Sequence, residues 1–169
     1  MALPTDILID RVRNELKAVS QYLVSAPDLD DPAEVRFPVV IEIELTRVPG
    51  YFIEGSRCVP RYYHRFRMVI GPNYPTEKPL VTWLTPIYHP NIMMPEDGGH
   101  LCSKLLEGWG FNSTIICFVK GVETLVTNPN PLSPFGTDSC TASAEYFNTR
   151  KGHKPPMVSV PPPRVVEDE

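Results

Sequence analysis

The sequence has no block of basic residues, no apolar stretch approaching the ~20 residues of a bilayer span, and no Cys-x-x-Cys pair. Each absence removes a class of function. Lys and Arg number 16 against 20 Asp and Glu, for a net charge of −4, so a nucleic-acid or membrane-surface role has no electrostatic support. The opening MALPTDILID lacks a basic segment followed by an apolar run, and no secretory signal is expected. Cys58, Cys102, Cys117 and Cys140 show no zinc-type spacing with histidine, so neither a metal nor a cofactor is expected. Free thiols in a reduced, cytoplasmic setting are the default. What the chain has in excess is proline, 20 of 169 residues, more than twice the usual share of about 5%. That length suits one domain able to bury a single core.

The prolines punctuate the pattern. Residues 5–25 read as a helix with Thr5 as N-cap, because Leu8, Val12, Leu16, Val19 and Leu23 form one apolar stripe that Pro27 closes. From Pro38 the period becomes two. Val39, Ile41, Ile43 and Leu45 predict a half-buried strand, Tyr51 to Cys58 a weaker one, His64 to Ile70 a third, and Val81 with Trp83 a short fourth. Thr114 can cap a second helix reaching about Val126, apolar around most of its circumference and therefore expected to be central and buried. The stretch NPNPLSPF at 128–135 stops it. A shorter helix over 138–150 follows, so the fold class is α+β with a four-stranded antiparallel meander. Residues 1–152 form the domain, and 153–169 read as a Pro-rich, flexible tail.

Between the last strand and the second helix lies YHPNIMMPEDGGHLCSKLL, residues 88–106. It reads either as a Pro-rich loop entering a buried strand or as a site in which Cys102 carries a group and Asn91 attends to developing charge. Three stretches taken in order decide what it resembles. GPNYPTEKPLVTWLTPIYHPNI, then GHLCSKLLEGWGF, then TLVTNPNPLSPF resemble the ubiquitin-conjugating enzyme family over roughly residues 5–150. The resemblance implies an enzyme, an acyl transferase. It would take ubiquitin or a ubiquitin-like modifier from an activating enzyme as a thioester on Cys102. It would then pass the modifier to a lysine amine with a RING-type ligase, while the activating enzyme alone uses ATP.

Chemistry fits these assignments. Cysteine is nucleophilic enough to accept an acyl group and leaves readily enough to release it. Aminolysis passes through an oxyanion, which an amide donor such as Asn91 can stabilise by ~10²–10³ in rate. The resemblance gives His89 a loop-holding role. It makes Arg11, Arg13 and Lys17 of the first helix a docking face for the activating enzyme, the alternative being a solvated helix face. Departures from the family pattern fall in three places. The loop from Asn91 to Cys102 is about three residues longer. Ser133 stands where many members carry an acidic residue, able to accept a bond from the amine but not to act as a carboxylate base. Thr76 replaces the apolar residue that helps dock a ligase, with Phe111 in the second ligase-facing loop.

Other readings attach to the same residues. Cys58, Cys117 and Cys140 read as packing residues, and Trp109 and Tyr74 as core anchors. His100, two residues before Cys102, raises a Cys-His hydrolase, although no orienting acid follows it. A catalytically weak variant serving as a modifier-binding scaffold is the remaining alternative; it would ordinarily lack the cysteine.

Overall fold

The computed structural model describes residues 2–149; the expected boundary at 152 and the tail lie outside the described residues. The first helix, α1, spans Thr5–Ala18 and buries Leu8, Ile9, Val12 and Leu16. It is shorter than the stripe predicts, and its N-cap is Pro4 rather than Thr5, with no side-chain cap bond. After a 3₁₀ turn at Ser20–Tyr22 the chain extends into β1, Leu23–Ser25, and Leu23 pairs opposite Ile43. Leu23 falls on the helical period, but a sheet edge competes for it and wins.

Strands β2 (Val39–Leu45) and β5 (His64–Ile70) pair antiparallel from Val39 opposite Ile70 to Leu45 opposite His64, and both alternate buried with half-exposed residues as the period of two requires. Strand β6, Leu80–Trp83, completes a four-stranded sheet in the order β1-β2-β5-β6. The weaker strand expected over Tyr51 to Cys58 is instead a hairpin of its own, β3 (Gly50–Glu54) and β4 (Arg57–Arg61), outside that sheet. The cause is Gly55. Its φ of +63° reverses the chain in a two-residue loop between paired Glu54 and Arg57. Strand β2 therefore pairs directly with β5, and β1 supplies the fourth strand at the edge beside β2.

Helix α2 spans Ile115–Thr127, and Thr114 caps it by accepting the Cys117 N–H at 3.3 Å. It buries one face, Ile115, Phe118, Val119, Val122 and Val126, rather than most of its circumference; Ile116 and Leu125 are half-buried, and Cys117, expected as a packing residue, is exposed. One apolar cluster joins this face to Leu8, Val12 and Leu16 of α1 and to the inner face of β2 and β5. Full burial of each such side chain contributes roughly 1.5–3 kcal/mol. Helix α3, Asp138–Thr149, buries Cys140 and Phe147 and lays Tyr146 and Phe147 against Tyr51 of β3. Among the described residues no helix is long and apolar enough to cross a membrane.

Candidate active site

The long loop after β6 is built on glycine. Gly99 has φ +66°, and a Cβ there would sit 2.7 Å from the Trp83 carbonyl oxygen, so only glycine lets the loop lie on β6, where Trp83 N–H bonds the Gly99 carbonyl at 2.8 Å. The two arms of the loop then pair. Met93 N–H bonds the His100 carbonyl at 2.9 Å, Ile92 bridges Leu101, and Cys102 N–H bonds the Asn91 carbonyl at 2.9 Å. Between the arms the tip of the loop forms a 3₁₀ turn at Pro95–Asp97. The base of the loop thus holds Asn91 and Cys102 together, whatever its tip adopts.

His89 is buried, and its bonds fix its tautomer. Nδ1 accepts the Asn91 N–H at 3.0 Å, so the proton resides on Nε2 and is donated to the Leu125 carbonyl at 2.7 Å. Burial lowers its pKa from 6.5 to about 4, against the opposing effect of the Leu125 bond. Asn91, 3% exposed, donates through Nδ2 to the carbonyls of Asn130 (3.1 Å) and Ser133 (3.2 Å) and accepts the Asn130 N–H at 2.7 Å. Phe135 N–H adds a bond to the Pro90 carbonyl at 3.0 Å. The His-Pro-Asn tripeptide is thereby stitched both to the end of α2 and to the Pro-Asn-Pro turn.

These contacts shape a cleft of about 310 Å³ that brings together Cys102, Asn91 and Ser133, with Lys104, Leu125 and Phe135 among its other walls. Cys102 is half-buried and precedes the 3₁₀ turn Ser103–Leu105. His100 is exposed and does not line the cleft. A half-buried thiol opening into a cleft, beside immobilised amide and carbonyl groups, is suited to acyl transfer.

The residues expected to face partners separate into two groups. Arg11 and Arg13 are not the exposed cations expected. The Arg11 side chain, 18% exposed, pairs with Glu15 at 2.8 Å, donates to the Ser113 carbonyl at 2.7 Å and lies over the rings of Tyr74 and Phe111. Arg13 pairs with Asp10 at 2.9 Å and donates to the Leu29 carbonyl. Helices draw arginine stems over apolar neighbours in this way. Lys17 is exposed. Thr76, also exposed, lines a second groove with Leu80 and Trp109, and Phe111 is 62% exposed.

Two residues escaped the sequence reading. Glu15 ties α1 to the Tyr74 loop and to α2, accepting from the Tyr74 hydroxyl at 2.8 Å, from Arg11 and from the Ile115 N–H at 2.7 Å. Its only signal was a carboxylate placed between Val12 and Leu16 on the flank of the apolar stripe. Lys104 is exposed on the wall of the thiol cleft, signalled only by its position two residues after Cys102.

The family profile described as ubiquitin-conjugating enzyme matches residues 59–154. The chain is 29% identical over 131 residues to the Nedd8-conjugating enzyme UbcE2M of Drosophila melanogaster, covering 76% of this chain and 65% of that protein. It is 32% identical over 120 residues to the NEDD8-conjugating enzyme UBC12 of Yarrowia lipolytica, covering 68% and 62%. The chain thus spans less than two thirds of the length of either relative. Among solved structures, S. cerevisiae Ubc12 superposes with a TM-score of 0.57 at 20% identity, covering 90% of this chain and 84% of that one, a likeness of fold.

Proposed function

The chain belongs to the ubiquitin-conjugating enzyme family, and from that premise we propose that Cys102 carries a ubiquitin-like modifier as a thioester and delivers it to an amine. In the first step the Cys102 sulfur attacks the thioester carbonyl on the activating enzyme. A new S–C bond forms, the old one breaks, and the donor sulfur leaves as thiolate. In the second, a neutral lysine amine attacks the carbonyl carbon, C–N forms, C–S breaks, Cys102 leaves as thiolate, and the amine yields a proton to solvent. The observation that carries this reading is the shared cleft: Cys102 lies in it with Asn91, whose loop is joined to the thiol's own backbone. Names of relatives point to NEDD8-type modifiers, and ubiquitin remains within the same class. A RING-type ligase would meet the surface around Thr76 and Phe111, and an activating enzyme the side of α1 that carries Lys17.

For Asn91 the proposed oxyanion role has a cost. Both Nδ2 hydrogens already serve carbonyls, so stabilising the oxyanion means exchanging one of those bonds in the transition state. Incubation with activating enzyme, ATP and either ubiquitin or a NEDD8-type modifier should give an adduct cleaved by reducing agent, absent in Cys102→Ala and present in Cys140→Ala. Asn91→Ala should charge nearly as wild type and discharge to free lysine slower by ~10²-fold. Charging that survives Cys102→Ala overturns the carrier assignment, and undiminished discharge in Asn91→Ala makes the amide a brace for the 130–133 turn alone.

A further inference from the structure

The charge around the thiol is opposite in sign to what an amine-accepting cleft would favour. None of the residues lining the cleft is a carboxylate; its charged member is Lys104, on the turn that begins directly after Cys102. The next carboxylate along the chain, Glu107, lines the separate groove beside Thr76. The Asn91 oxygen already accepts the Asn130 N–H, and the residue is only 3% exposed. The Ser133 carbonyl is held by Asn91. Lys104 is therefore the charged side chain that lines the cleft beside the thiol.

We propose that Lys104 is a specificity-determining residue that selects acceptor polypeptides whose target lysine is flanked by Asp or Glu. The inference rests on the carrier reading above. A free lysine, with a pKa near 10.4, approaches at neutral pH almost wholly as ammonium. Beside a lysine already in the wall it is repelled, and one like charge within a few ångströms lowers its local concentration by roughly threefold to tenfold. A carboxylate adjacent to the target lysine reverses the sign. It pairs with Lys104 and anchors the acceptor next to the thioester. It also travels with the ammonium, so the acceptor supplies the negative charge that the cleft lacks. Acceptors with neutral or basic flanks gain neither contact. Specificity of this kind comes as much from the repulsion of wrong acceptors as from attraction of right ones.

The test has two arms, of which the first needs no partner protein. Alkylation of Cys102 by anionic iodoacetate and by neutral iodoacetamide, read by peptide mass spectrometry, reports the field at the sulfur. The iodoacetate-to-iodoacetamide rate ratio should fall from wild type to Lys104→Gln to Lys104→Glu, by about threefold or more at each step at low salt. In the second arm, charged protein is discharged onto peptides with a single lysine flanked by aspartates, by serines or by arginines. Wild type should favour the aspartate peptide by about tenfold over the arginine peptide, and Lys104→Glu should invert that order. An unchanged alkylation ratio, or a peptide order that survives the charge reversal, overturns the role of Lys104. Failure of the wild type to charge at all would overturn the carrier reading and acceptor selection with it, while a falling alkylation ratio would show that the field itself is as described.

Discussion

The two ends of α2 are held by side chains from elsewhere in the fold, and they are held in opposite chemical ways. At the N-terminal end the Glu15 carboxylate of α1 accepts the Ile115 N–H at 2.7 Å, and Thr114 accepts that of Cys117. At the C-terminal end a neutral imidazole, His89, donates to the Leu125 carbonyl. Both choices complement the helix, whose first N–H groups lack acceptors and whose last carbonyls lack donors. The difference lies in burial and company. Glu15 keeps a 10% exposed side chain and collects three donors. His89 is enclosed, with neighbours that do not reward a charge. One end is an ionic knot joining α1, the Tyr74 loop and α2; the other is an uncharged clamp that fixes the His-Pro-Asn loop, and through it Cys102, to the same helix.

Breaking the knot should have the largest effect. Glu15→Ala leaves the Arg11 guanidinium, the Tyr74 hydroxyl and the Ile115 N–H without their shared acceptor, in a site where Arg11 is mostly buried. Removing one partner of such a pair costs about 3–5 kcal/mol, measurable by urea unfolding. Glu15→Gln preserves shape but supplies an N–H where donors converge, and should recover only part of the loss. A cost below about 1 kcal/mol for Glu15→Ala would mean that the knot is solvated and the two ends of α2 do not differ as described.

The clamp should show itself through pH. His89 has a folded-state pKa of about 4 against 6.5 when unfolded, so the unfolded chain binds a proton that the folded one refuses. The contribution is fully present above pH 6.5 and is lost as pH falls toward 4, amounting to about 3 kcal/mol. His64, buried and lowered to about 4 by the same cause, declines in parallel. Unfolding free energies of wild type and His89→Gln should therefore differ most near pH 7 and converge by about that amount at pH 4, with His64 common to both. Parallel curves would show that His89 is no more buried than an ordinary surface histidine.

How far the sequence discloses these features depends on whether they are periodic. The alternation of β2 and β5, the Thr114 cap and the stop at NPNPLSPF follow from local rules, and the structure follows them. The order of the motifs, rather than any one of them, pointed to the family. Leu23 and the Tyr51–Cys58 stretch were misread because each fits two local patterns, and only the competition among strands for a place in the sheet, together with the reversal at Gly55, decides between them. The exposure expected of Arg11 failed for a similar reason: the rings of Tyr74 and Phe111, 63 and 100 residues away along the chain, are what cover it. The saturation of the Asn91 amide, likewise, comes from a turn about 40 residues further on.

The smallest expected effect separates the local part of the N-terminal anchor from its long-range part. Thr114 and Glu15 both accept backbone N–H groups in the first turn of α2, but Thr114 does so from the adjoining residue and joins nothing else to the helix. Replacing it by alanine removes an N-cap bond and frees one exposed donor to water, at a cost of about 1 kcal/mol. Serine in its place should restore most of that, because the hydroxyl and not the methyl makes the contact. Thr114→Ala and Glu15→Ala serve neighbouring N–H groups of one turn, so their double variant measures coupling as well as sum. If the knot positions the turn that the cap completes, the double variant should lose less than the two single losses together, by at least about 0.5 kcal/mol. Strict additivity would show that the cap acts alone, and that α2 is fastened at its N-terminal end by two independent devices and not by one.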